Sequence, residues 1–294
     1  MRRKKTQITT LDIVLIAFIL GVIVYIGYRL TIGLNYKWNW AIIPQYLIRY
    51  DTEQGRWTIN ILLEGLLTTL RLSIWATLLA SVLGVLMGVL RTTQKLFNRL
   101  VGGTYVELIR NIPPLVLVFI FYFFVSDQIL PLLGLEDFIR SRTPSTQTVL
   151  AFFFATPDLF NAFISGVVTI AVFQGAYITE IVRAGIQSIE RGQWEAAYAL
   201  GLSWWQQMRY VVLPQATKRV LPPLANEFIN TIKYSAIVSV ISIQELTFQG
   251  FQIMAATHVT IEVWLTVTLM YLIICLILSL GVQKLENHLA KSEV

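Results

Sequence analysis

Five polar side chains sit inside runs that are otherwise apolar enough to cross a membrane, where ionisable groups are costly and point to function. Gln174, Tyr177 and Glu180 recur every three residues, so on a helix they share one broad face. Arg71 lies about ten residues into a different apolar run, which is about 15 Å at 1.5 Å per residue and near mid-membrane. Lys233 is similarly deep in a third run. A carboxylate suits an ammonium, and a guanidinium or lysine suits a carboxylate. The set therefore fits a zwitterion, with Glu180 for its ammonium and Arg71 or Lys233 for its carboxylate. Gln174 and Tyr177 would supply neutral hydrogen bonds. The alternative for Glu180 is an ion pair with Arg183 or another cation that only holds helices together.

Composition says which elements must carry these residues. The 294 residues are 55% hydrophobic and 14% charged, against roughly 25% charge in soluble domains. Several stretches of about twenty apolar residues are long enough for a hydrocarbon core about 30 Å thick. The chain reads as an all-α polytopic membrane protein with six spans near 11–33, 60–90, 104–126, 158–187, 221–246 and 260–283. The first belongs to an N-terminal segment, 1–58, and the rest to a core, 59–294. The charged start followed by a long apolar run, with no clear cleavage site, predicts a retained transmembrane helix rather than a signal peptide. A lone cysteine, Cys275, excludes an internal disulfide or thiolate cluster. His258 and His288 stand apart, so no metal site is expected.

The net charge of +6 does not require a nucleic-acid partner, because the basic residues flank apolar runs. Lys and Arg favour cytoplasmic flanks. With both termini inside, the inner segments carry Arg2, Arg3, Lys4, Lys5, Arg91, Lys95, Arg99, Arg183, Arg191, Arg209, Lys218, Arg219, Lys284 and Lys291. The outer segments carry only Lys37, Arg49, Arg56, Arg140 and Arg142, accompanied by six acids that include Asp127 and Asp158. Outer segments near 34–59 and 127–157 are long enough for surface helices, and Trp38, Trp40 and Trp57 suit an interfacial belt.

The segment 188–220 is the long polar insert between two apolar runs, and it falls on the inner side. Gln193 to Leu200 is rich in helix formers. Gly201 stands where a helix would end in the left-handed conformation. Ser203 can cap a second short helix, Trp204 to Val212, which Pro214 limits. Ala196, Ala197 and Gly201 would let a partner backbone approach. Elsewhere Pro113-Pro114 interrupts the third span just after Glu107, Arg110 and Asn111. Gly84 and Gly88 form a G-x-x-x-G pair that permits close helix packing.

The stretch Glu195-Ala196-Ala197, three residues, Gly201, nine residues, then Val211-Val212-Leu213-Pro214 resembles the coupling loop of ABC importer permeases, E-A-A-x3-G-x9-I-x-L-P, with Val211 in place of Ile. The stretches Thr69–Arg91, Tyr105–Phe124, Gly175–Gly201, Leu213–Ser242 and Gln244-Glu245-Leu246 extend the resemblance to the polar amino-acid branch of these permeases. Lys233-Tyr234-Ser235-Ala236 departs from that branch, which usually has a small polar or acidic residue after the lysine.

That resemblance implies a five-helix permease core preceded by one extra helix, in a bacterial inner membrane. It also implies an ATPase-coupling role for Glu195, Ala196, Ala197, Gly201, Leu213 and Pro214. The chain has no G-x-x-x-x-G-K-[ST] and no soluble ligand-binding domain, so no cofactor is expected in it and no catalytic residue. The resemblance implies a cytoplasmic ABC ATPase dimer that binds ATP and Mg. It further implies an extracytoplasmic solute-binding protein and a second permease, the same or a paralogue. An ion-coupled secondary amino-acid transporter is the other reading, and it gives the coupling loop no role. A membrane enzyme lacks a paired intramembrane Asp, an H-E-x-x-H or a Ser/His set.

Overall fold

A computed structural model describes residues 9–33, 36–53 and 55–291, with only the backbone at 30–33, 126, 127 and 288–291. Arg2, Arg3, Lys4 and Lys5, and the side chains of Asp127, His288 and Lys291, lie outside it. Contacts group the chain into one unit ending at Trp40 and a second from Ala41 onward. The sequence boundary at 58/59 falls inside a strand of the second unit.

The first unit is α1, Thr10–Gly33, apolar on all sides as a membrane helix must be. Its start is fastened by Thr9 and Asp12. The Asp12 carboxylate accepts from the Thr9 N–H at 2.7 Å and its hydroxyl at 2.8 Å, a local box that satisfies otherwise orphaned groups. Trp38 and Trp40 stack with centroids 6.1 Å apart.

The second unit opens with a short helix α2, Ile43–Leu47, and a hairpin of β1, Ile48–Asp51, and β2, Arg56–Ile59. Asn60 then caps α3, Ile61–Thr92, by accepting from the Ile61 N–H at 2.9 Å. The chain continues through α4, Leu96–Asn111, and α5, Pro114–Phe121, which runs into a π-helical stretch, Tyr122–Ile129. Two surface helices follow, α6, Leu135–Arg140, and α7, Pro144–Phe153. The long α8, Phe160–Gln187, leads into α9, Arg191–Ala199, and α10, Trp204–Gln207. A π turn at Met208–Val212 joins α10 to α11, Leu213–Tyr234. A 3-10 segment, Ser235–Ile241, precedes α12, Leu246–Thr257, and α13, Thr260–Lys291.

Among the described residues four helical segments are long and apolar enough to cross a membrane, at Thr10–Arg29, Ile61–Thr92, Pro157–Gln187 and Thr260–Asn287. A fifth span arises if α4 and α5, bent by 108° at their junction, count as one. The bend is the one expected at Pro113-Pro114, where two residues cannot donate to the preceding turn. The expected sixth span at 221–246 is not a single apolar helix. It is α11, which begins at Leu213 and carries Glu227, Asn230 and Lys233, followed by the 3-10 segment. Pro214 sits in the first turn of that helix, where a missing N–H is tolerated, directly after the π turn.

The core of the second unit is the contact between α3 and α8. A Cβ on Gly84 would overlap Ile178, and one on Gly88 would lie 2.7 Å from Val182. The G-x-x-x-G pair therefore does bring two backbones together. Around the surface helices, the Arg140 guanidinium binds Glu136 at 2.8 Å and Asp158 at 2.6 Å, and both carboxylates hold its pKa above the ordinary value.

Candidate functional site

The segment between α8 and α11 is built as two short helices joined at a turn through Gly201, rooted in the core. Helix α9 ends in a Schellman motif. The Leu202 N–H reaches the Ala197 carbonyl at 3.2 Å and the Gly201 N–H reaches Tyr198 at 2.9 Å. That closure requires Gly201 at φ 73°, with open space around its Cα. Ser203 then caps α10 in a reciprocal box with Gln206. The predicted helix, glycine stop and cap are all present. The second helix does not end at Pro214, however, but passes through the π turn into α11.

Burial divides the segment into a root and a rim. Met208 and Val212 are fully buried, with Ile186, Ile189, Ala216 and Val220, in one cluster that joins α8 to α11. Ala197 also faces inward, at 2% exposure, so its small size serves the chain's own packing rather than a partner's approach. Glu195, Ala196 and Pro214 are exposed, and Leu213 is half-buried. Tyr198, Leu200 and Trp205 are exposed beside Glu195 at 77%, 79% and 60%, an apolar rim that the motif did not single out. Among the described residues Glu195 makes one ion pair, a loose one with Arg191 at 3.7 Å. A groove of about 590 Å³ runs between this rim and the α3–α4 connection, lined by Lys95, Asn98, Tyr198, Trp204 and Gln207 among others. The Arg219 guanidinium reaches back to the Ser188 carbonyl and fastens the two ends of the segment together.

The five intramembrane residues do not converge. Arg71 donates to the Ala151 carbonyl at 3.2 Å and lies over the Phe152 ring at 5.6 Å. It lines a cavity of about 360 Å³ near the start of α3, with Glu64, Thr68, Gln244 and Gln249. Glu180 is held by two guanidinium groups, Arg183 at 2.7 Å and Arg91 of α3, the helix-holding arrangement. Lys233 is exposed. Gln174 and Tyr177 lie one turn apart on α8, on either side of contacts to α11 and α4. Gln174 is fully buried and donates from Nε2 to the Thr231 hydroxyl at 3.0 Å. Tyr177 packs on Phe173 with centroids 5.2 Å apart, and the Arg110 guanidinium lies over its ring at 5.2 Å.

Known proteins place this geometry. The family described as binding-protein-dependent transport system inner membrane component matches residues 80–291. A probable glutamine ABC transporter permease protein, GlnM, of Bacillus subtilis (strain 168) is 36% identical over 230 residues, 78% of this chain and 94% of that protein. The glutamine transport system permease protein GlnP of Escherichia coli (strain K12) is 37% identical over 236 residues, covering 79% and 94%. The chain belongs to this family of importer permeases. A crystal structure of an amino acid ABC transporter with histidines is 30% identical, with a TM-score of 0.64 over 86% of this chain and all of that one. A chain from a structure of the MetNI methionine ABC transporter, at 20% identity and a TM-score of 0.59, shares the fold.

Within this permease, sequence reasoning passed over residues that the tertiary structure brings to the same places. Thr231 of α11 meets Gln174, Glu227 is buried one turn away on the same helix, and Tyr234 packs on Phe173 with centroids 5.2 Å apart. Their spacing, Glu227, Thr231, Tyr234, is a helical stripe of the same kind as Gln174, Tyr177, Glu180 and was there to be read. Glu245 is fully buried and caps α12, accepting from Phe248 N–H at 2.7 Å, Thr247 N–H at 2.9 Å and the Tyr271 hydroxyl at 2.7 Å. Nothing local in the sequence signals the Tyr271 contact, which spans two helices.

Proposed function

We propose that the protein is the membrane subunit of an ATP-driven ABC importer for polar amino acids in a bacterial inner membrane, with both termini cytoplasmic. The observation that carries this reading is the division of the Glu195–Pro214 segment into an exposed rim and a root buried between α8 and α11. A rim rooted in this way transmits force. When a cytoplasmic ATPase dimer binds ATP with Mg and closes, a partner cleft holding Glu195, Tyr198 and Trp205 carries the two short helices along. Interiors are close-packed, so α8 and α11 follow as bodies rather than deforming. Alternating access is then a two-state switch that each ligand biases by its differential affinity. The relatives that carry glutamine in their names support the amino-acid class.

The assembly would be completed by an extracytoplasmic solute-binding protein and a second permease, identical or paralogous. The cavity beside Arg71, with a guanidinium, a carboxylate and two amides on its wall, is suited to receive a zwitterion where the chain meets the outer side. The decisive experiment is co-purification of the tagged chain from its native host in mild detergent, followed by mass spectrometry. An ATPase with a phosphate-binding loop, lost on Glu195→Lys, is the expected result. A chain that purifies alone and moves solute into liposomes under an ion gradient without ATP would replace this reading with a secondary transporter.

A further inference from the structure

Gln249 of α12 is 7% exposed and lies on the wall of the cavity of about 360 Å³ beside Arg71, yet among the described residues its amide makes no hydrogen bond. Its stem is clamped. A Cβ on Gly65 of α3 would lie 2.8 Å from Gln249 Cγ and 3.1 Å from Leu246 Cα, so α12 presses on α3 at this level. The Thr69 hydroxyl accepts from the Leu246 N–H at 3.1 Å, and Glu245 caps the same turn. Arg71 lines the cavity six residues beyond Gly65, about 9 Å along α3 at 1.5 Å per residue. Its guanidinium donates to the Ala151 carbonyl, and among the described residues no carboxylate pairs with it, although Glu64 stands on the same wall.

Buried polar side chains are nearly always hydrogen-bonded, and ligand sites are hollows in which a few fixed polar groups set orientation and specificity. A primary amide offers two donors and an acceptor. A carboxamide on the ligand meets both sides of it. A carboxylate would leave Gln249 Oε1 without a donor. An ammonium or guanidinium would leave Nε2 without an acceptor, and an alkyl chain would leave both unmet. Each omission costs the desolvation of the unmet group, which is how a site built to hydrogen-bond rejects an analogue. The Arg71 guanidinium suits a carboxylate. We propose that Arg71 and Gln249 form an outer recognition site that holds the α-carboxylate of the transported amino acid and selects a carboxamide side chain. This rests on the importer reading above and narrows its substrate class from polar amino acids to the carboxamide ones. The two recognising groups come from α3 and α12.

The test is equilibrium binding to the permease purified with its ATPase in lipid nanodiscs, without a solute-binding protein. The probes are radiolabelled L-glutamine, L-glutamate, L-arginine and L-norvaline, the last having an alkyl side chain and no amide. Wild type should bind glutamine at least about tenfold more tightly than the other three, the loss expected for one unmade buried hydrogen bond. Gln249→Leu should lower glutamine affinity by a similar factor and bring norvaline level with it. Arg71→Gln should weaken glutamine and norvaline alike and keep their ratio. A wild type that prefers another probe, or does not distinguish glutamine from norvaline, would overturn the site, a result that needs no variant to fold. So would an unchanged glutamine-to-norvaline ratio in Gln249→Leu, whether or not total binding falls. An Arg71→Gln variant that binds as wild type does would overturn it too. In each of these cases the importer reading stands. A wild-type complex that binds none of the four probes would overturn the amino-acid class, and this site with it.

Discussion

Glu180 shows how a residue's task depends on what tertiary structure sets beside it. Its carboxylate joins α8 to α3 through Arg91 and reinforces its own helix through Arg183. With side chains about one-fifth to one-third exposed, the cluster is partly screened. Glu180→Gln should therefore destabilise by less than the roughly 3–5 kcal/mol typical of breaking a fully buried pair, because two cations lose their common anion. Thermal unfolding of the purified complex would read this as a lower Tm, with the KM for uptake unchanged. A rise in KM at unchanged stability would return Glu180 to the substrate path. Glu195 behaves differently, because it is exposed and its ion pair with Arg191 is loose. Glu195→Lys should leave stability within about 0.5 kcal/mol of wild type, as surface changes usually do, while ATP-dependent uptake falls at least tenfold. Uptake assays in proteoliposomes check this, and normal uptake would remove Glu195 from the coupling surface.

Among the elements, two glycines constrain for different reasons. Gly201 is needed for its backbone, since φ 73° costs an ordinary L-residue roughly 1–2 kcal/mol. Gly201→Val should break the Schellman closure and lower the affinity for the ATPase, whereas Gly201→Asn, which tolerates that conformation, should retain most of it. Equal ATPase recovery with both variants in pull-downs would show that the turn is not needed for docking. Gly88 is needed for its missing side chain, because a Cβ there meets Val182 at 2.7 Å. Gly88→Leu should push α3 off α8 and cost at least the ~1–3 kcal/mol of an overpacked core. Thermal unfolding is the measurement, and an unchanged Tm would mean that the two helices separate without penalty.

At the scale of the molecule, Met208 and Val212 share one buried cluster with Ile178, Val182 and Val220, which packs the segment between α8 and α11 onto both long helices. Met208→Ala should leave the rim in place but loosen its root, at a cost of about 2–5 kcal/mol for the cavity created. The expected signature is ATP hydrolysis that continues while uptake drops. Matched losses of hydrolysis and uptake would indicate that the rim itself had been lost.

Much of this architecture is already present in the linear chain. Apolar runs specify the membrane class because no other solvent accommodates them, and Pro113-Pro114, Gly201 and Ser203 set a bend, a stop and a cap through purely local sterics and hydrogen bonds. The helix and turn within Glu195 to Pro214 follow from requirements that are also local. Only tertiary structure decides which polar stripe meets which. It pairs Glu180 with Arg91, Gln174 with Thr231 and Glu245 with Tyr271, and it turns Ala197 inward. It also divides the expected span at 221–246 into a polar-faced helix and a 3-10 segment. The physical reason is that hydropathy adds along a chain, residue by residue. The partner of a buried charge lies on another helix, and nothing in its own neighbourhood says which one.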